Sequence, residues 1–409
     1  MCGDGRLRSP GLLRGYMRDR ACAPWPPACE GNIGVEPLKL GMIGVGQMGS
    51  AHTRAMAPLE EVRVVAVADV DAARARTVGE AVGARAFTDA HALIRRGGVE
   101  AVLIATPHTL HAPLALYAAQ RGVHVLSEKP LAISAAAADR VIATCQDHGV
   151  LLGVMFQQRT DPSWRTIKRL VEGGLLGAVY RLSLVTTAYR PQAYYASAAW
   201  RGTWAGEGGG VLMNQAPHAL DLFLWIGGMP QAVQGLAATR LHRIAVEDVA
   251  LALCKYGQGK VGWLYATTAE VAGSDRLEVV GERGALVWEE GRVRHLTLDP
   301  PLSTHLCSSA ELLGQPRAVW REVAVTPASH GYLEVIKAFA RAVRAHDESL
   351  LVATGEDGRR AVELANAIVL ASCTRREVSL PLNRRRYARL LRQLQRGTVT
   401  LDGSGGQPS

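Results

Sequence analysis

From residue 38 onward, short apolar runs alternate with longer amphipathic stretches. Leu40–Val45, Val62–Ala68, Ala84–Phe87, Ala101–Ile104, Val123–Ser127 and Leu151–Met155 read as strands. Ser50–Ala57, Asp71–Val82, His111–Arg121 and Ser134–His148 read as helices between them. The strands are nearly continuous apolar runs, which a sheet covered on both faces requires. This alternation predicts a doubly wound parallel sheet.

The pattern changes after Gln157. Pro162–Glu172 predicts a helix and Ala178–Tyr189 a long alternating strand. Five strand-like segments follow: Val249–Tyr256, Lys260–Thr268, Arg276–Val280, Ala285–Trp288 and Val293–Leu298. Their short glycine-bearing turns imply antiparallel pairing. In Val249–Cys254 and Val261–Ala266 both alternating faces are apolar, so both need cover: helices on one side and a partner subunit on the other. Leu333–Arg344 and Asp357–Cys373 read as closing helices. The fold class is therefore α/β: an N-terminal Rossmann-type doubly wound sheet, then an α/β domain built on a large, mainly antiparallel open sheet.

Domain boundaries follow from composition. Residues 1–36 hold four prolines and three cysteines without sustained periodicity, and read as a disordered extension that an upstream start assignment would explain. Residues 37–158 form the nucleotide-binding domain, 159–383 the substrate-binding and oligomerisation domain, and 384–409 a basic helical tail with a flexible terminus. The chain has 409 residues, and its seven scattered cysteines show no metal-ligand spacing, so no metal is expected. Their pattern argues for a reducing, cytoplasmic compartment. No apolar run approaches the length of a membrane span. The net charge of +9 is concentrated in Arg375–Arg396, with eight arginines and one glutamate. Tyr387, Leu390, Leu391 and Leu394 would give that stretch an apolar stripe beneath a solvated basic face. Interleaved aromatics and a nucleic-acid recognition fold are missing, so no nucleic-acid or membrane partner is expected.

Four motifs carry candidate chemistry. The first strand ends in Gly44, Gly46 and Gly49, enclosing Gln47 and Met48, spaced as G-x-G-x-x-G. Such a turn lets backbone approach a pyrophosphate, and the following helix offers N–H groups and a partial positive charge. Asp69 ends the second strand, where its carboxylate can accept both ribose hydroxyls of an adenosine. A 2′-phosphate there would meet like charge, costing up to ~4 kcal/mol at 4 Å and an effective dielectric near 20. NAD is therefore favoured over NADP, unless Arg74 turns inward. Thr106-Pro107-His108 and His111 follow the fourth strand, at the sheet edge where such folds bind ligands, although a turn with a proline start explains the prolines equally well. Glu128-Lys129-Pro130 ends the next strand, with a lysine whose basicity should fall beside a cationic nicotinamide. In the stretch Glu207–Asp221, a helix would put Asn214, His218 and Asp221 on one face. His218 would be the general base. Asn214 could instead be a helix N-cap.

These motifs, G-V-G-Q-M-G, A-T-P-H, S-E-K-P-L and G-G-G-V-L-M-N-Q-A-P-H-A-L-D, resemble in order and spacing the glucose–fructose oxidoreductase / inositol dehydrogenase / rhizopine-catabolism (Gfo/Idh/MocA) family over roughly residues 38–382. The resemblance implies that Glu128 and Lys129 lie at the nicotinamide ribose, that Pro130 is cis, and that His218 is the catalytic histidine. Asn214 falls where many members carry aspartate. That departure removes an ion pair and would leave proton transfer to His218 with Lys129 assisting. Gln157 and Arg159 match a segment beside the nicotinamide, and Trp200-Arg201 a pair near the carboxamide. Tyr189, Tyr194, Tyr195 and Trp204 could line a sugar site or simply fill the domain interface.

The sequence thus predicts an NAD-dependent oxidoreductase, with NADP the lesser alternative, acting on CH–OH groups of a polyol, sugar or inositol-like substrate. The catalytic residues would be Lys129, His218 and Asn214, and the assembly a homodimer or homotetramer through the second sheet. Two alternatives stay open: a cyclic cis-dihydrodiol dehydrogenase, and a non-catalytic NAD-sensing binding protein.

Overall fold

The computed structural model describes residues 36–271 and 275–401. The expectations for the N-terminal extension and the final residues lie outside these, except at Glu36 and Leu401.

The first sheet has six parallel strands: β1 (Leu38–Ile43), β2 (Val62–Ala68), β3 (Arg85–Phe87), β4 (Ala101–Ile104), β5 (His124–Ser127) and β6 (Leu152–Val154). Between them run α1 (Gln47–Met56), α2 (Ala72–Val82), α3 (Ala90–Arg96), α4 (His108–Ala119) and α5 (Ala135–Asp147). The spatial order β3-β2-β1-β4-β5-β6 reverses direction between β1 and β4, the crevice where doubly wound folds take ligands. Register explains why motifs distant in sequence converge. Ala68, Ile43, Ile104, Ser127 and Val154 lie in one cross-sheet row. The residues one or two beyond that row, Gly44, Asp69, Thr106 and Glu128, therefore emerge at one edge.

The second half starts with α6 (Pro162–Glu172), whose first turn Asp161 caps, and continues through β7 (Val179–Thr187), α7 (Gln192–Ala196) and α8 (Pro217–Gly227). Then come β8 (Ala232–Ala238), β9 (Val249–Lys255), β10 (Val261–Thr267), β11 (Arg276–Gly281), β12 (Gly284–Glu289) and β13 (Arg292–Asp299). The remaining elements are α9 (Leu302–Ser308), β14 (Arg317–Glu322), α10 (Tyr332–Ala345), α11 (Gly355–Thr374), β15 (Val378–Ser379) and α12 (Arg384–Gln395). The sheet runs β14-β13-β12-β11-β7-β10-β9-β8-β15. It is mainly antiparallel, but β7 pairs parallel with β10. The link from β10 to β11 is too long for a tight hairpin, so those two strands do not pair and β7 lies between them.

The alternation in β9 is resolved as one covered face and one open face. Ala250, Ala252 and Cys254 are buried, while Leu251 is 40% and Leu253 53% exposed. The basic C-terminal stretch is a helix capped by Asn383 and seated on the core through Tyr387, Leu390, Leu391 and Leu394. Its Arg384 is ion-paired with Asp139 of α5 and Glu363 of α11. Among the described residues no helix is long and apolar enough to cross a membrane.

Candidate active site

At the glycine turn, Gly44 has φ +87°, and a Cβ there would lie 2.7 Å from the Ala105 carbonyl oxygen. A Cβ on Gly49 would come within 1.8 Å of the Gly44 carbonyl oxygen, so helix and strand meet backbone to backbone. Over Gly46 nothing lies within 4 Å, which leaves open space above the N-terminus of α1. Gln47 and Met48 are exposed in its first turn. Asp69 closes this corner. One carboxylate oxygen accepts the Val45 N–H at 3.0 Å, and the other accepts Asp71 N–H at 3.0 Å and Arg74 at 3.2 Å. Arg74 has therefore turned onto Asp69, so like charge is a weaker barrier to a 2′-phosphate than the carboxylate alone would make it.

Pro107 precedes the first residue of α4, His108. His108 is buried, with Nδ1 3.0 Å from the Glu207 carbonyl oxygen and its ring 5.3 Å from that of Trp200. Burial pushes its basicity well down. His111 braces two loops: Nδ1 is 2.7 Å from the Pro130 carbonyl and Nε2 2.8 Å from that of Thr106. Both ring nitrogens are thus engaged with backbone.

Burial raises the Glu128 carboxyl, but the ring of His52, 2.7 Å away, and the Lys129 charge together hold it below the ordinary range. Its other oxygen accepts the Lys129 N–H at 3.1 Å. His52 belongs to α1 and is almost wholly buried. The sequence reading passed over it; its place one helical turn beyond the glycines was the available signal. The Lys129–Pro130 peptide is cis. Lys129 Nζ donates to the Asn214 backbone carbonyl at 2.6 Å. Burial lowers its basicity, against the pull of Glu128 and Glu207.

The stretch 207–221 departs from expectation. Pro217 opens α8 and Ala216 precedes it, so Asn214 lies in the turn before the helix and is not its cap. Its side-chain amide donates to the Glu207 carboxylate and, at 3.1 Å, to Tyr194 Oη. His218 and Asp221 do not share a face with it. His218 lies edge-on to Phe156 with ring centres 5.9 Å apart, and its Nδ1 has no partner among the described residues. Burial and the Lys129 charge push it down to about 3. Asp221 turns the other way, onto Arg159 at 2.6 and 2.8 Å. Arg159 also reaches Asp357 at 3.1 Å, so it is buried in a structural ion-pair network and is not free beside the cleft.

Arg201 stacks 4.1 Å over the Tyr194 ring, hydrogen-bonds its hydroxyl and lies 4.6 Å over Trp200. Tyr195 and Trp204 are buried, hydrogen-bonded to Thr268 Oγ1 and the Ala245 carbonyl, and so serve packing; Tyr189 is exposed. Buried polar atoms in this part of the molecule with no partner among the described residues include His52 Nδ1, Gln157 Oε1, Arg201 Nε, Gln215 Oε1 and His218 Nδ1. Each would cost about 1–3 kcal/mol if left unmet. Together with the open space at Gly46 they fit a large polar ligand extending from the glycine turn toward α8.

The model of the oxidoreductase family with an NAD-binding Rossmann fold matches residues 38–156, and the GFO/IDH/MocA C-terminal domain matches residues 164–287. Myo-inositol 2-dehydrogenase of Thermotoga maritima is 24% identical over 84% of this chain and 98% of that protein. Inositol 2-dehydrogenase of Rhizobium meliloti is 25% identical over 84% and 99%. The crystal structure of the WlbA dehydrogenase from Bordetella pertussis with NADH and UDP-GlcNAcA superposes with a TM-score of 0.72 at 26% identity, covering 85% of this chain and all of that one. The two domain models lie in sequence order over the two sheets, and the chain belongs to the Gfo/Idh/MocA family of NAD-dependent oxidoreductases.

Proposed function

We propose that the protein is a dehydrogenase that exchanges a hydride between NAD and a secondary alcohol or ketone of a polyol, sugar or inositol-like substrate. The observation that carries this reading is the meeting of Lys129, Glu128 and His218 at the β5–α8 side of the cleft, with His218 Nδ1 left without a partner among the described residues. Relatives named as inositol dehydrogenases and a neighbour bound to a UDP-sugar support the substrate class.

In this reading Gly44, Gly46, Gln47, Met48 and Gly49 hold the pyrophosphate with the N-terminus of α1, and Asp69 takes the adenosine ribose. Thr106, Pro107, His108, His111 and Glu128 form the wall at the nicotinamide ribose, with Gln157, Trp200 and Arg201 beyond. His111 acts there through the loops it braces. Bound NAD supplies the hydride acceptor. Proton transfer falls to Lys129. The sequence pointed to His218 as the base, but an imidazole pushed down to about 3 is a poor acceptor near neutrality. Desolvation lowers the basicity of the half-buried Lys129, the direction that suits an amine acting as a base. Lys129 Nζ takes the hydroxyl proton as the alcohol is oxidised, and neutral His218 holds that hydroxyl by a hydrogen bond. Asn214 places Lys129 through its carbonyl oxygen.

The exposed leucines of β8 and β9 (Leu236, Leu251, Leu253) support association of two or more copies through the second sheet. NADH formation from NAD against a panel of inositols, aldoses and cyclic diols tests the function. Turnover with a polyol or sugar is expected. NAD binding with no turnover on any member of the panel would overturn the catalytic reading in favour of a sensor.

A further inference from the structure

The lysine has a second carboxylate behind it. Glu207 heads the triple glycine, and its side chain is fully buried. The chain turns back after it through Gly208 (φ +79°) and Gly209 (φ +154°), and Gly210 then packs so closely on the segment before β9 that a Cβ there would lie 1.8 Å from the Glu247 carbonyl oxygen. That turn brings Glu207 and Asn214 together without a helix. One Glu207 oxygen accepts the Gly202 N–H at 2.7 Å, and the other accepts the Asn214 side-chain amide. Its backbone carbonyl receives His108 Nδ1 at 3.0 Å, tying it to the nucleotide-binding half. Asn214, so held, presents its own carbonyl to Lys129 Nζ at 2.6 Å.

We propose that Glu207 is the positioning carboxylate of Lys129: it clamps Asn214 so that the Asn214 carbonyl receives Nζ, and its negative charge acts on the amine from behind. The inference rests on the reading of Lys129 as proton acceptor. It also corrects the expectation that an asparagine at 214 leaves the lysine with no carboxylate on that side. The charge around the pair is mixed. Glu128 and Glu207 favour the ammonium, while Arg190 and Arg201 oppose it. The imidazoles of His108, His111 and His218 also face Lys129 electrostatically. Glu207 itself is raised by burial, and is held down by Asn214, Gly202, Arg201 and Lys129. Glu247 and Tyr195 are its other titratable neighbours.

The test reads the protonation of Lys129 directly, from the pH dependence of its acetylation by acetic anhydride, quantified by mass spectrometry on the full chain with NAD bound. Glu207→Gln keeps the shape, since the Asn214 amide can turn over to accept from the new one. It is expected to move the Lys129 titration down by about one unit or more, with NAD affinity unchanged. The charge swap, Glu207→Gln with Asn214→Asp, keeps a hydrogen bond and returns a carboxylate closer to Nζ, so the titration should come back to the wild-type position or above it. An unmoved titration in Glu207→Gln, or a fall that the swap does not reverse, overturns the proposal. If Glu207→Gln does not fold, the swap decides alone: a titration below wild type rejects the clamp. The labelling needs no substrate. A Lys129→Ala variant that keeps its turnover would reject the catalytic reading while leaving the Glu207 result readable.

Discussion

Helix α8 carries two polar residues three positions apart that end in opposite circumstances. Asp221 is saturated: both its oxygens meet Arg159, whose remaining nitrogen reaches Asp357 and the Val352 carbonyl. His218 is half-buried beside Phe156, and among the described residues its buried Nδ1 has no partner, nor do Gln157 Oε1, Arg201 Nε and Gln215 Oε1. Both clusters are polar, lie largely out of solvent and contain an arginine. A buried charge with every partner in place is a strut, and removing one member exposes the others to an uncompensated desolvation cost. A buried polar set with unmet atoms is worth its cost only where something else binds. The comparison separates architecture from chemistry more sharply than burial does.

The largest effect is expected at the unmet cluster. Lys129→Ala should lower turnover by ~10²–10⁴-fold and leave NAD binding measurable by fluorescence titration. At the saturated cluster, Arg159→Met should cost about 3–5 kcal/mol in urea unfolding, because Asp221 and Asp357 lose their cation. Asp69→Ala comes next. It removes an acceptor for the ribose and frees Arg74, so NAD affinity should fall ~10–100-fold, in line with the ~1.5–3 kcal/mol of a charge-assisted bond. The preference for NAD over NADP should narrow in the same titrations.

Glu247 is a further buried carboxylate, intermediate between the two clusters. One oxygen accepts the Leu212 N–H at 3.1 Å and the other has no partner among the described residues. Burial pushes it up from 4.5 to about 7. The folded protein therefore holds a proton that the unfolded chain releases earlier. This contribution to stability is complete below pH 4.5 and is lost as pH rises through about 7, by at most about 1.4 kcal/mol per pH unit. Glu247→Gln should flatten urea midpoints measured between pH 5 and 8. The smallest effect on the fold is expected at the open sheet face. Leu253→Glu should change subunit stability by under about 0.5 kcal/mol while lowering the sedimentation coefficient if copies associate there.

The first sheet was largely legible, because β1, β4 and β5 leave continuous apolar runs and caps such as Asp71 and Ser134 mark the helices between strands, although β3 is a short, exposed edge. Less of the second sheet was legible. β8 carries Gly235, which interrupts a strand pattern; the glycine is there because the Ile368 backbone of α11 passes within 2.9 Å of where its Cβ would be. β14 is an exposed edge, R-A-V-W-R-E, with no apolar run to read. In the site, residues at strand ends could be found from position alone, since register gathers them. Asn214 and Asp221 could not. Helical spacing placed them beside His218, but Pro217 starts the helix too late for Asn214 and rotation carries Asp221 to Arg159. The roles of His52 and Glu207 were not legible, although Glu207 heads the fourth motif, because each acts through a contact that spacing does not show: His52 on Glu128 and Glu207 on the Asn214 amide.

The most direct measurement takes Lys129→Ala and Arg159→Met side by side, recording NADH formation per NAD-binding molecule and the urea midpoint of each. The expected result is a double dissociation: Lys129→Ala loses rate and keeps its midpoint, while Arg159→Met loses midpoint and its folded fraction keeps most of its rate. Equal losses of both quantities in both variants, or full turnover in Lys129→Ala, would contradict the division of the molecule into a saturated frame and an unmet site.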